Sequence, residues 1–173
     1  MIVNTFHEKI FQIEDFITKE ESEQILKDAK RSSSWDQGEG FWENRITEVS
    51  PEIPLNIHTR LSNLFISHNG INALNLVSRF FAGDSMPLHT DEVGHSAIAY
   101  GAIIYLNEDF QGGGLHYPDY NFTVEPKARS LVIHPGNIAH QVREITAGTR
   151  YFLPTFIHSS PTEPAILRSF EHL

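Results

Sequence analysis

Beyond Gly70 the chain becomes a procession of short runs rich in β-branched and aromatic residues: NALNLVSRFFAG, SAIAYGAIIYLNE, GGLHYP, NFTVEP, ARSLVIHPG, IAHQVREI and TRYFLPTFIHSS. Gly, Pro, Asn and Asp separate them, as turns require. Several runs are apolar on both faces, the pattern of strands buried between two layers. Strands this short and this closely spaced point to a sandwich, a barrel or a jelly roll. The first third reads differently. Thr18-Lys19-Glu20-Glu21 fits a capping box ahead of Ile25, Leu26 and Ala29. Ile53, Ile57, Leu61, Leu64, Phe65 and His68 recur at threes and fours, which predicts a second helix ended by Gly70. These helices are expected to pack outside the β core.

The 173 residues suit one domain with a real core, and no linker, repeat or low-complexity tract interrupts them. Residues 1–72 are expected to be a helical support region and 73–160 the β core. There is no cysteine, so disulfides, thiolate metal sites and cysteine nucleophiles are excluded. The opening MIVNTFHEKIFQIEDF carries acids and no apolar stretch, which reads as no signal peptide. With no stretch long enough to span a bilayer, the expectation is a cytoplasmic protein without a membrane partner. Twenty-two acidic against 13 basic residues, a net charge of −9, give no electrostatic reason to bind nucleic acid.

Ten histidines raise the question of a metal. In Met86-Pro87-Leu88-His89-Thr90-Asp91, His89 and Asp91 lie two apart, so an extended backbone points both side chains the same way. That arrangement suits a shared metal ion, and equally a plain His–Asp hydrogen bond. In Ile138-Ala139-His140-Gln141-Val142, His140 shares a face with Ile138 and Val142, which directs it inward. Alone, it would be an ordinary buried histidine. Together with His89 and Asp91 it completes two histidines and one carboxylate, the facial set that holds non-haem iron(II).

Ten residues further on, Arg150 falls on the strand face of Phe152, Pro154 and Phe156, while Tyr151, Leu153 and Ile157 make the other face apolar too. A guanidinium so placed needs a partner. A bound carboxylate would match its fork, and so would a distant acid or the solvent at the strand end. Tyr105 shares a face with Ile103, Gly101 and Ala99, where small residues leave space in front of the strand. Its phenol is either a second donor to the same carboxylate or a plain core tyrosine.

His89-x-Asp91, His140 and Arg150, in that order, resemble the iron(II)- and 2-oxoglutarate-dependent dioxygenases, most closely the prolyl 4-hydroxylase-like branch. RFFAGDSMPLHTD, IIYLNEDFQGGGLHYP, VEPKARSLVIHPG and HQVREITAGTR each resemble that branch's segments, over roughly residues 74–158. The resemblance implies a mainly β fold with flanking helices, a double-stranded β-helix (jelly-roll) core. It implies iron(II) on His89, Asp91 and His140, and 2-oxoglutarate held at its distal carboxylate by Arg150 with Tyr105. Dioxygen is then the third reactant, and ascorbate an accessory reductant to test. The implied reaction hydroxylates an unactivated C–H, first of all a prolyl residue of a peptide or protein, with release of succinate and CO2. A free amino acid or small metabolite is the alternative substrate. The retained carboxylate argues for hydroxylation rather than halogenation. Two departures stand out: Phe80 and Phe81 occupy a segment where the branch often has tyrosine, and Gly112-Gly113-Gly114 replaces its usual turn.

His116, in GLHYP, and Trp42, in the loop over 32–45, are the expected substrate contacts. That loop, with Trp35 and Trp42 around Gly38 and Gly40, is either a lid or a segment pinned by its aromatics. His95 is expected in a loop, His134 in a core or turn role, and His158 at the surface. Two rival readings remain. One is a silent jelly-roll module that keeps metal for structure or ligand capture, which would have no need of Arg150. The other is a cupin-like enzyme, against which the lack of an H-x-H counts. Oligomeric state is not legible.

Overall fold

The computed structural model describes residues 2–36, 39–72, 75–92 and 97–170. Its elements run β1 (Val3–His7), β2 (Ile10–Ile13), α1 (Lys19–Arg31), β3 (Ile46–Glu48), α2 (Glu52–Ser62) and β4 (Phe65–Ser67). Next come β5 (Leu76–Phe81), β6 (Met86–His89), β7 (Ile98–Tyr105), β8 (Gln111–Gly112), β9 (Leu115–Tyr117) and β10 (Phe122–Val124). The chain closes with β11 (Leu131–Pro135), β12 (His140–Val142), β13 (Ile145–Ala147), β14 (Thr149–His158) and β15 (Ile166–Leu167).

Seven strands form the main sheet in the order β1-β2-β11-β7-β14-β5-β3, and four form a smaller one, β10-β9-β12-β6. Among the described residues, all of the strand pairings are antiparallel. The two sheets face each other across one apolar layer that includes Phe80, Phe152 and Val132 from the main sheet and Leu115, Val124 and Val142 from the smaller. A second layer packs the other face of the main sheet against the helices: Ile104, Leu131, Ile133, Leu153 and Ile157 meet Ile25, Ala29, Ile57 and Leu61. The result is a jelly roll with its helices outside, as expected from the runs after Gly70.

Local chemistry explains much of this. Thr18 caps α1: its hydroxyl accepts from the Glu21 N–H at 3.2 Å, and the Glu21 carboxylate accepts from the Thr18 N–H at 2.8 Å. Pro154 sits in β14 beyond the reach of β5, which pairs only with Thr149–Phe152, so its missing N–H breaks no ladder on that side.

Two expectations need correction. The second helix does not reach Gly70; it stops at Ser62, and Phe65–Ser67 becomes β4, paired with β15 near the other end of the chain. Leu64 and Phe65 are buried as their spacing required, but a strand partner about a hundred residues away overrides the helical period. Nor is the region 1–72 purely helical. β1 and β2 extend one side of the main sheet through β11, and β3 extends the other through β5. Among the described residues, no helix is long and apolar enough to cross a membrane.

Candidate active site

The smaller sheet carries the site. β6 and β12 pair so that His89 stands opposite His140, and their rings lie 4.4 Å apart. Asp91 follows the end of β6, where its N–H donates to the Gly136 carbonyl at 2.9 Å. Its Oδ1 lies 3.9 Å from His89 Nε2 and 3.8 Å from His140 Nε2. One ligand atom from each of the three residues falls within 4.8 Å of the others. In both histidines Nδ1 faces a backbone carbonyl, Pro87 at 2.7 Å and Ile138 at 2.9 Å. A proton on Nδ1 satisfies each carbonyl and leaves Nε2 as a lone pair toward Asp91, the tautomer a metal ligand needs.

Burial sets the charges. It pushes the Asp91 carboxyl up to about 6, opposed by nearby His89. It pushes His140 down to about 4, so the imidazole is neutral at pH 7. Two imidazoles and a carboxylate short of solvation are a donor set that a divalent cation would satisfy.

A fourth group escapes sequence reasoning. His134 on β11 is buried, with Nε2 3.7 Å from Asp91 Oδ2 and its ring 4.3 Å from that of His140. It is buried, as a core role requires, and it also lines the cavity; its sharing a face with Val132 was the available signal. Burial drives its basicity down to about 3. Opposite it stands Gly101, where any Cβ would overlap Asp91 Oδ2 and crowd the His134 ring. Glycine there makes room for the carboxylate.

A cavity of about 120 Å³ joins this cluster to Arg150. Phe152, Pro154 and Phe156 line it from the same face of β14, with Phe80, Ile103, Leu115 and Val142 around them. Arg150 is 0% exposed, and among the described residues none of its guanidinium nitrogens has a hydrogen-bond partner. Aromatic faces surround it: Phe152 at 4.3 Å, Tyr105 at 5.0 Å and Phe80 at 5.5 Å. The buried Tyr105 hydroxyl also lacks a hydrogen bond of normal geometry among the described residues, and the guanidinium beside it is its electrostatic partner. The guanidinium borders the cavity and the phenol packs against it, a pair of buried donors whose chemistry suits an anion.

The remaining expectations divide. Trp42 lines the cavity and meets Phe80 at 6.0 Å, with Phe41 packed edge-on to both. Trp35 instead is buried under the Arg79 guanidinium, 3.5 Å from its ring centroid, and pins its end of the loop. His116 does not reach the cavity. Leu115 and Tyr117 take the inward face of β9, so His116 turns outward, its Nδ1 near the Phe122 carbonyl and the Arg143 guanidinium. His158 is half-buried and pairs with the Asn72 side chain at 2.8 Å. His95 and Gly38 lie outside the described residues.

The architecture defines a class: double-stranded β-helix proteins, with the fold of the prolyl hydroxylases. The viral collagen prolyl hydroxylase of Paramecium bursaria Chlorella virus-1, in its 2OG complex, superposes with a TM-score of 0.69 at 14% identity, covering 88% of this chain and 97% of that one. A Pseudomonas putida prolyl-4-hydroxylase gives 0.67 at 18% identity, covering 87% and 92%. An oxidoreductase of the 2OG-Fe(II) oxygenase family from Burkholderia pseudomallei gives 0.50 at 17% identity, covering 59% and 50%. No family model matches the sequence, and no curated protein matches it.

Proposed function

We propose that this chain is an iron(II)- and 2-oxoglutarate-dependent oxygenase, a single domain over residues 1–173, which hydroxylates a prolyl residue of a peptide or protein. The observation that carries the reading is the unpartnered Arg150 guanidinium, sharing one small cavity with the His89–Asp91–His140 cluster. A silent metal-binding module has no use for a buried cation without a counter-ion. A dicarboxylic oxoacid uses both features at once.

His89, Asp91 and His140 would hold the iron, the two imidazoles through Nε2 and Asp91 through a carboxylate oxygen. When bound, iron(II) with 2-oxoglutarate and dioxygen supplies the oxidising chemistry that puts a hydroxyl on a C–H bond, with succinate and CO2 as co-products. The protein's own work is placement. Arg150 and Tyr105 hold the distal carboxylate, and that fixes the oxoacid's other end toward the metal ligands. Phe80, Phe152 and Phe156 keep water from the space between. No side chain is asked to act as general acid or base.

The cavity is far smaller than the 300–1,000 Å³ of pockets that enclose a drug-sized ligand, so the substrate to be hydroxylated meets the protein outside it. Trp42 and Phe41 form the aromatic rim there, a surface suited to an apolar ring such as that of proline. Two neighbours named as prolyl hydroxylases make prolyl peptides the first substrates to try.

The test is an anaerobic titration of metal-free protein with iron(II) and then 2-oxoglutarate, followed by visible absorption. The expected result is a weak charge-transfer band, absent in His89→Ala and requiring far more 2-oxoglutarate in Arg150→Ala. Folded protein that shows no band at saturating iron(II) overturns the reading. Succinate release on candidate prolyl peptides then tests the substrate.

A further inference from the structure

The chain has five tyrosines, and their surroundings separate them. Tyr120 is exposed, Tyr100 and Tyr151 are half-buried. Tyr105 and Tyr117 are fully buried, and both hydroxyls lack a hydrogen bond of normal geometry among the described residues. Tyr105 already belongs with Arg150. Tyr117 belongs neither to that pair nor to the metal-binding cluster.

Its position is not arbitrary. On β9, Leu115 and Tyr117 share the inward face, and Leu115 lines the cavity. β9 pairs with β12 through Gln141↔His116 and Val142↔Leu115, so the next step of that register sets Tyr117 beside His140. The rings agree: Tyr117 lies 6.1 Å from His140 and 5.6 Å from His134. Across the smaller sheet, Tyr117, His140 and His89 therefore stand side by side on one face.

None of its neighbours satisfies the hydroxyl. The third ring against it is Phe122, at 5.2 Å. The Nδ1 atoms of His134 and His140 face backbone carbonyls, and their Nε2 atoms face Asp91. Phenylalanine would fill the same apolar space without burying an unmet O–H, as Phe80 and Phe152 do nearby. A hydroxyl kept there has a partner that arrives with the ligand.

We propose that Tyr117 is a third polar anchor of the site, whose hydroxyl donates a hydrogen bond to an oxygen of bound 2-oxoglutarate. The inference rests on the oxygenase reading above and adds a residue to it. Arg150 and Tyr105 hold the distal carboxylate, and Tyr117, beside His140 on the smaller sheet, steadies the ligand from that side.

Tyr117→Phe tests this because it removes one oxygen and keeps the ring. Iron(II) affinity, 2-oxoglutarate affinity of the iron-loaded protein under anaerobic conditions, and the Tm of the ligand-free protein are measured for both proteins. The expected result is 2-oxoglutarate binding weaker by about 10- to 100-fold, iron(II) affinity unchanged, and a Tm equal to or above that of the parent, since an unmet polar group has been removed. That combination of signs is one a purely structural tyrosine would not produce. Unchanged 2-oxoglutarate affinity overturns the proposal, whatever the Tm does. Failure of the parent protein itself to bind 2-oxoglutarate is a separate outcome, which overturns the oxygenase reading and this inference with it.

Discussion

The two faces of β14 carry side chains of opposite kinds. Toward the helices it sends Leu153 and Ile157, both fully buried among aliphatic neighbours. Toward the smaller sheet it sends Arg150, Phe152, Pro154 and Phe156, which line a cavity. On the first face every apolar atom buried contributes to stability, and nothing there waits for a partner. On the second, among the described residues, the Arg150 guanidinium and the hydroxyls of Tyr105 and Tyr117 are buried without hydrogen bonds of normal geometry, and the Asp91 carboxylate faces the Nε2 atoms of two histidines. One strand thus serves as structural core and as cavity wall, separated by the thickness of a backbone. The helix face stabilises the fold, and that stability offsets the cost of the polar groups stored on the other.

Mutations on the two faces should therefore differ in sign as well as in size. The largest effect is expected at Arg150. Arg150→Met should weaken 2-oxoglutarate binding by on the order of 10²–10³-fold, because the ligand's distal carboxylate loses its cation. The same change should raise the stability of the ligand-free protein by about 1–3 kcal/mol, because an uncompensated buried charge is gone. Binding titrations and urea unfolding on one preparation read both; a loss of stability would mean that Arg150 has a structural partner.

Leu153→Ala should do the reverse. It removes a buried side chain from the helix face and should destabilise the protein by about 2–5 kcal/mol in the same unfolding experiment. The 2-oxoglutarate affinity of the protein that remains folded should stay within about twofold. A large drop in affinity would show that the two faces are coupled through the strand.

Gly101→Ala should give the smallest of these effects and tests the boundary itself. A methyl there runs into Asp91 and His134, so Asp91 must shift before it can serve a metal. Iron(II) affinity should fall by about 10- to 100-fold with modest change in stability. Unaltered metal binding, measured by calorimetry with iron(II) under nitrogen, would show that the carboxylate has room to move and that the glycine is incidental.

Much of this contrast is legible in the order of residues alone. Arg150, Phe152, Pro154 and Phe156 fall on one side of β14 because strand side chains alternate, and alternation is a local property. The capping box at Thr18 is local too, and α1 begins where it says. The limits appear wherever a partner is distant in sequence. α2 should have run to Gly70 by its own period, but β15 pairs with Phe65–Ser67 and ends it early. The IFQI of β2 has little to mark it as a strand until β11 lies beside it. His116 and His134 show the same limit within the site. Each was visible as a histidine in a strand-like run. Which of them faced the metal ligands depended on how β9 and β11 were set in two opposed sheets.

By itself, then, the sequence determined the types of most elements, the composition of each strand's faces, and the presence of two histidines, an aspartate and an arginine able to serve one site. Tertiary structure decided which faces meet. It set His134 against Asp91 and Tyr117 beside His140, turned His116 away, and, among the described residues, left the guanidinium beside a small cavity without a counter-ion. The physical reason is that side-chain direction follows from a backbone repeat of two residues, whereas the identity of what lies opposite depends on pairing between strands far apart in the chain.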